Sequence, residues 1–207
     1  MSELPALLRS TDERTVGPAR TYNSSHILLA LLIIGSNGSI GRHALAEKAG
    51  VGEGAIRTMI GKLTKNEYIA VDASGCRLTP KGDRAYSEVR SRIPAMAPVS
   101  PSELTVGKKQ FALVVRGVEG AVSDGIRQRD AAIIVGASGA TTYIFADSRF
   151  QIPRGSADCE RDFPSHSWGE IRDTLKPRDG DVVILCGSGD EELSSLGAVA
   201  AALTLLT

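Results

Sequence analysis

Residues 38–82 read GSIGRHALAEKAGVGEGAIRTMIGKLTKNEYIAVDASGCRLTPKG, and the fold of the front half turns on this stretch. A helix fits residues 42–49 and a second fits residues 53–65, with Gly50 between them to supply a left-handed turn. Where two helices cross closely a small residue is needed, and Ala46 stands there. Leu45, Ala49, Val51, Ile56 and Met59 point from both helices into one small core. This is the spacing of a helix-turn-helix. A short hairpin follows, strands over 69–71 and 76–78 around the turn Asp72-Ala73-Ser74-Gly75. Thr79 then caps a further helix with Pro80 at its first position, and Ala85, Tyr86, Val89 and Ile93 form its apolar stripe. Upstream, Asn23, Ser24 and Ser25 cap a helix over 26–34 that is apolar all round and therefore buried on most sides, by its own domain or by a second subunit. Residues 1–20 are polar, contain Gly17-Pro18 and show no period, and are expected to be a flexible tail, or an arm that orders on binding. Residues 21–93 then make a winged helix-turn-helix.

On the helix over 53–65, Ile56, Met59, Ile60 and Leu63 recur at i, i+3, i+4 and i+7 and face the core. Arg57, Thr58, Gly61, Lys62 and Lys65 face away. Charged residues on a helix face usually mean only solvation. Here they coincide with helix-turn-helix spacing, a following wing and local positive charge, which together point to double-stranded DNA. The N-terminal part of such a helix lies nearest the base edges in the major groove. Arg57 suits bidentate pairing with guanine, Glu53 suits the cytosine amino group, and Thr58 suits a base or a phosphate. Lys62 and Lys65 are placed for phosphates, which add affinity without sequence information. Arg77 is the wing contact. Ser39, Arg42 and His43 open the preceding helix, where backbone N–H groups hold a phosphate. Gly52, Gly54 and Gly61 leave room for close approach.

The 207-residue chain has zero formal net charge. The charge is divided unevenly: residues 1–98 hold 13 Lys and Arg against 9 Asp and Glu, and residues 99–207 hold 11 against 15. A basic front and an acidic back indicate two domains with different partners, of which only the front attracts phosphate. Cys76, Cys159 and Cys186 are far apart and without metal-ligand spacing, so they read as ordinary thiols of a reducing cytosol, and neither metal nor cofactor is expected. The longest apolar run, residues 27–34, is far short of the ~20 residues that cross a bilayer. With no signal-peptide pattern, the expected location is the cytoplasm.

Pro94, Pro98 and Pro101 mark residues 94–107 as a linker. Beyond it, in residues 108–207, strands fit 111–118, 141–146, 150–152 and 182–186, and helices fit 125–137, 168–175 and 191–206. The order βαββαβ with an extra C-terminal helix fits a ferredoxin-like α/β sandwich, so the whole chain is classed as α+β. Gly187-Ser188-Gly189 opens the last helix and is a weak phosphate motif, lacking the continuation of a P-loop, while Ser188 with Glu191 reads as a capping box. Asp130 shares a helix face with Ile126, Ile133 and Ala137 and needs a partner, for which Arg127 is spaced. Arg127, Arg129, Asp130, Thr141 and Thr142 are therefore the candidate lining of a small-molecule effector site. Ser165, His166 and Ser167 form no catalytic triad pattern, and no enzyme activity is expected.

The quoted stretch resembles winged-helix repressor domains, including the DNA-binding end of the central glycolytic genes regulator, and "RLTPKG" after the wing is common in such regulators. The stretches "RQRDAAIIVGASGATT" and "GDVVILCGSGDEELSSLGAVAAALTLL" are similar to a domain of unknown function in archaeal two-domain proteins with the same front. The resemblance implies a transcriptional regulator and carries over no catalytic residue, and the apolar helices suggest a homodimer. The alternative is a metabolic enzyme or small-molecule-binding protein whose winged helix contacts protein.

Overall fold

The Asn23 side chain takes the place of the missing helical carbonyls at the start of the first long helix. It accepts from Ser25 N at 3.0 Å and His26 N at 3.4 Å, while His26 Nδ1 accepts from Asn23 N at 3.2 Å. This reciprocal cap opens the second helix of a computed structural model, which describes residues 3–12 and 22–206. The chain divides into two compact units, Met1–Val89 and Arg90–Thr207.

The first unit contains α1 (Glu3–Asp12), α2 (Ser24–Asn37), α3 (Arg42–Lys48), α4 (Glu53–Lys65), β1 (Ile69–Asp72), β2 (Gly75–Leu78) and most of α5 (Pro80–Arg92). Every side chain from Ser25 to Leu32 in α2 is buried, by α1, α3 and β2 of the same unit. Gly50 adopts φ 63° between α3 and α4, the left-handed turn read from the sequence. Thr79 Oγ1 accepts from Gly82 N at 3.1 Å and caps α5. Ile40 exchanges both backbone hydrogen bonds with Cys76, at 3.0 and 2.8 Å, adding a bridge to the hairpin.

Two expectations fail here. Within the expected tail, residues 3–12 are the helix α1. Leu4 and Leu7 are buried, and α1 packs on α2 and α4. Its first N–H groups are taken up by Glu88 of α5, whose Oε2 accepts from Glu3 N at 2.7 Å and Leu4 N at 3.3 Å. Burying two leucines, worth about 2 kcal/mol each, and neutralising a helix N-terminus outweigh the polar composition that suggested a tail. The rest of that expected tail lies outside the described residues. Ile60 is only half-buried, because it sits at the edge of the core beside the wing.

The second unit is one antiparallel sheet between helices. Its strands are β3 (Met96–Val99), β4 (Lys109–Val115), β5 (Gly139–Ala146), β6 (Arg149–Gln151) and β7 (Asp181–Ser188), in the order β3-β4-β7-β5-β6. The helices α6 (Ile126–Ile134) and α9 (Glu191–Leu206) cover one face. The short α7 (Cys159–Asp162) packs on β6 and α8 (Ser167–Leu175) on β3 and β4. The α8 face holds Ala112, Val114, Tyr143, Phe145, Val183 and Leu185 with Phe150, Trp168 and Ile171. Phe150 stacks on Trp168 with centroids 4.9 Å apart, and Tyr143 meets Trp168 edge-on at 5.1 Å. Central β7 is covered on both faces, which is why residues 182–186 read as an unbroken apolar run.

The α+β, two-part architecture read from the sequence is the one adopted. Two details differ. The strand order is not the ferredoxin one: β7, not β6, lies between the parallel strands β4 and β5. Residues 94–107 are not a free linker. Met96–Val99 pairs with β4, its Pro98 on the sheet edge where no ladder N–H is required. Buried Gln110 then pins the following loop, donating from Nε2 to Ser102 O at 2.7 Å and Thr105 O at 3.2 Å.

Candidate nucleic-acid interface

The outward face of α4 is set by helical periodicity. Ala55, Ile56, Met59 and Leu63 are buried, which leaves Glu53, Arg57, Thr58, Gly61 and Lys65 exposed. A side chain added at Gly52, Gly54 or Gly61 would meet nothing within 4 Å, so the three glycines present bare backbone on open surface. Arg57 has no ion-pair or hydrogen-bond partner among the described residues. It lines a groove of about 320 Å³ with Arg42 and Ile60 on one side and residues 71–76 of the wing on the other.

The remaining expected contacts are more constrained than the sequence suggested. Glu53, expected to read cytosine, is held between two side chains: Arg42 Nε stands 3.4 Å from Oε2 and His43 Nδ1 stands 2.5 Å from Oε1. The turn between α3 and α4 brings the two helix starts together, so the carboxylate meets Arg42 and His43 before it meets any ligand. Arg77, expected on a phosphate, donates from Nε to Asp72 Oδ2 at 2.9 Å across the hairpin. Hydrogen bonds from Ser74 and then Arg77 hold the Asp72 carboxyl down at about 2, so it is charged at any physiological pH. Ser39 Oγ donates to Ser74 O at 2.8 Å and fastens the wing turn to the loop before α3. Thr58 Oγ1 donates back to Gly54 O at 3.0 Å, leaving its lone pairs and methyl outward. Lys62 is half-buried with Nζ 6.0 Å from the Tyr22 ring centroid. Lys65 is exposed at the end of the helix. Ser39, Arg42, His43, Glu53, Arg57 and Arg77 thus share the face formed by the starts of α3 and α4 and the wing. Among them Arg57 is the guanidinium without an internal carboxylate partner. The role of Asp72 and Ser74 as wing clamps was missed. Its sequence signal is an Asx-type turn, Asp72-x-Ser74, in a two-residue hairpin loop.

The effector residues proposed for the back half come together only in part: Arg127 and Asp130 line one open groove with Ile126, Ile134 and Thr204, and Arg129, Thr141 and Thr142 are not in its lining. Asp130 is 53% exposed and pairs with its neighbour Arg129 at 2.9 Å, not with Arg127. The buried residues of α6 are Gln128 and Ala132, whereas Ile126, Ile133 and Ile134 are exposed. On the buried side of the helix Gln128 Nε2 donates to Thr204 Oγ1 of α9 at 2.8 Å. Thr141 and Thr142 lie on opposite faces of β5, as strand alternation requires. Thr141 Oγ1 donates to Leu104 O at 2.9 Å on the α8 side, and Thr142 is buried beside Gly125 on the α6 side. The weak phosphate motif is closed too. A Cβ at Gly187 would stand 1.7 Å from Val106 O, so glycine is there to let the 102–107 loop cross the strand. Asp190, not Ser188, caps α9, accepting from Leu193 N at 2.7 Å. Ser167 is buried and His166 exposed. No group of three or more metal-ligating side chains occurs, and no helix is long and apolar enough to cross a membrane, both among the described residues.

Residues 27–84 match the family model "PH0730-like, N-terminal domain", and residues 106–205 match "Domain of unknown function (DUF4443)". No curated protein matches the chain. Among solved structures, the fold is similar to that of "Hypothetical protein PH0730 from Pyrococcus horikoshii OT3", with a TM-score of 0.73 and 23% identity over 89% of this chain and 92% of that one. At that identity the likeness is one of fold. The two domain matches, in this order along the chain, and the shared fold fit a two-domain archaeal type that joins a PH0730-like N-terminal domain to a DUF4443 domain.

Proposed function

We propose that the protein is a sequence-specific regulator of transcription that binds double-stranded DNA through α4 and the β1–β2 wing. The observation that carries this is the exposed face of α4. Bare glycine backbone at positions 54 and 61 flanks Arg57, a guanidinium that no acid among the described residues neutralises. An unpaired arginine on a surface that admits close approach is what bidentate reading of guanine needs. Arg42, Lys65 and Arg77 border it as phosphate contacts, with Arg42 and Arg77 released in part from Glu53 and Asp72 as phosphates approach. In this reading the protein works in the cytoplasm as a homodimer, since paired half-sites mirror a two-fold axis. The second unit senses a small molecule or holds the dimer, without catalysis. In vitro selection of duplex ligands by the full chain tests the reading. Enrichment of a guanine-containing half-site, present twice about one helical turn apart, supports it. Failure to enrich any sequence over the starting pool refutes it.

A further inference from the structure

A cavity of about 360 Å³ opens in the second unit, on the α8 side of the sheet. Its lining is Glu103, Leu104, Thr141, Tyr143, Ile152, Phe163 and Pro164. The residues around it are firmly placed. Gln110 pins the loop carrying Glu103 and Leu104, and Trp168 Nε1 donates to Phe163 O at 2.9 Å.

The polar chemistry of this lining has one sign. Thr141 Oγ1 and Tyr143 Oη both donate to the Leu104 carbonyl, at 2.9 and 2.8 Å. Each hydroxyl has a single proton, so what remains to either is lone pairs. Pro164 has no N–H. Glu103 is exposed at the mouth and has no ion-pair or hydrogen-bond partner among the described residues. The side chains of the cavity thus offer acceptors, one of them ionised, and no free donor. The rest is apolar: Leu104, Ile152 and the ring of Phe163, which is 49% exposed although aromatic. An anion would meet Glu103 with no side-chain cation in the lining to offset it. An ammonium group supplies the N–H donors that every polar group here lacks, and its positive charge is also attracted to an aromatic face.

We propose that this cavity binds a compact organic amine, its ammonium held by Glu103 and Thr141 and its apolar body against Leu104, Ile152 and Phe163. At roughly 30 Å³ per water-sized group the space takes about ten non-hydrogen atoms. The proposal deepens the sensing role suggested above and rests on that reading only for any consequence at DNA. Binding itself is measured without DNA, so the two ideas fail separately.

The test is calorimetric titration of the full chain with 2-phenylethylamine, 2-phenylethanol and phenylacetate, probes of one shape and three charges. The amine is expected to bind up to about fivefold tighter than the alcohol, and phenylacetate not to bind. Glu103→Gln is expected to remove the preference of amine over alcohol. Phe163→Ala is expected to weaken both. Glu103 and Phe163 are exposed, and thermal melts of both variants check that they fold as the parent does. Equal binding of amine and alcohol, an amine affinity unchanged by Glu103→Gln, or no binding of any probe overturns the proposal.

Discussion

Replacing Arg57 by alanine separates base reading from charge. In the free protein Arg57 is exposed and makes no internal ion pair, so its loss removes no contact of the fold. Unfolding free energy is expected to move by less than about 0.5 kcal/mol. At DNA the loss is selective. A bidentate pair with guanine is worth about 1–3 kcal/mol of discrimination, so affinity for the selected half-site falls by about 5- to 150-fold. Affinity for random duplex changes much less. The assay is fluorescence anisotropy on both duplexes over a range of salt. If Arg57 instead meets a phosphate, the plot of log K against log[salt] becomes shallower by about 0.9 on both duplexes and discrimination is unchanged. Lys65→Ala is the control, expected to behave in that second way. Equal loss on selected and random DNA for Arg57→Ala, or no loss on either, refutes the reasoning.

The other predictions concern the scaffold. Gly82→Ala places a Cβ 2.0 Å from Tyr68 O, a backbone atom at the root of the wing. Destabilisation of about 1–3 kcal/mol is expected by urea denaturation, and an unchanged midpoint contradicts the contact. Burial lowers the His26 pKa from its usual 6.5, because the folded state disfavours the imidazolium. Below that value the unfolded chain binds a proton that the folded chain resists. Stability is therefore full above about pH 6.5 and declines as pH falls toward the depressed folded value, by no more than about 1.4 kcal/mol per unit. His26→Gln keeps a capping side chain at the same place and is expected to flatten that slope; an identical slope in the variant removes His26 as its source. Burial also raises the thiol pKa of Cys76, Cys159 and Cys186, the last to about 12. All three are expected to react with a thiol reagent at pH 8 only after unfolding, and rapid labelling of the native protein contradicts this.

The helices α2 to α5 of the first unit were legible because their signals are local. Glu53–Lys65 is bounded as the pattern gave it, and Thr79-Pro80 opens α5 as its chemistry demands. Contacts distant in sequence were not legible. Nothing near Leu4 and Leu7 announces Glu88, some eighty residues on, as the cap that makes α1 worth forming. Nothing at Glu103 announces that Gln110 will hold its loop over β5. Prolines at 94, 98 and 101 suggested a linker because an edge strand tolerates the same residue. Thr141 and Thr142 were a different failure. Strand alternation alone separates them, so their grouping in one site was refutable from sequence. On the face of α4 and the wing, charge count missed the internal pairing that sets Arg57 apart from Arg42 and Arg77.

The central claim is that the exposed face of α4 lies against duplex DNA. The buried native thiols allow a cysteine-directed photo-crosslinker to be placed at a chosen surface site of the full chain. Attached to Lys65→Cys at the end of α4, it is expected to link covalently to a selected duplex. Attached to Ile134→Cys on α6, it is expected to give no adduct under the same conditions. Adducts from position 134 and none from position 65, while the protein still binds the duplex, would contradict the account.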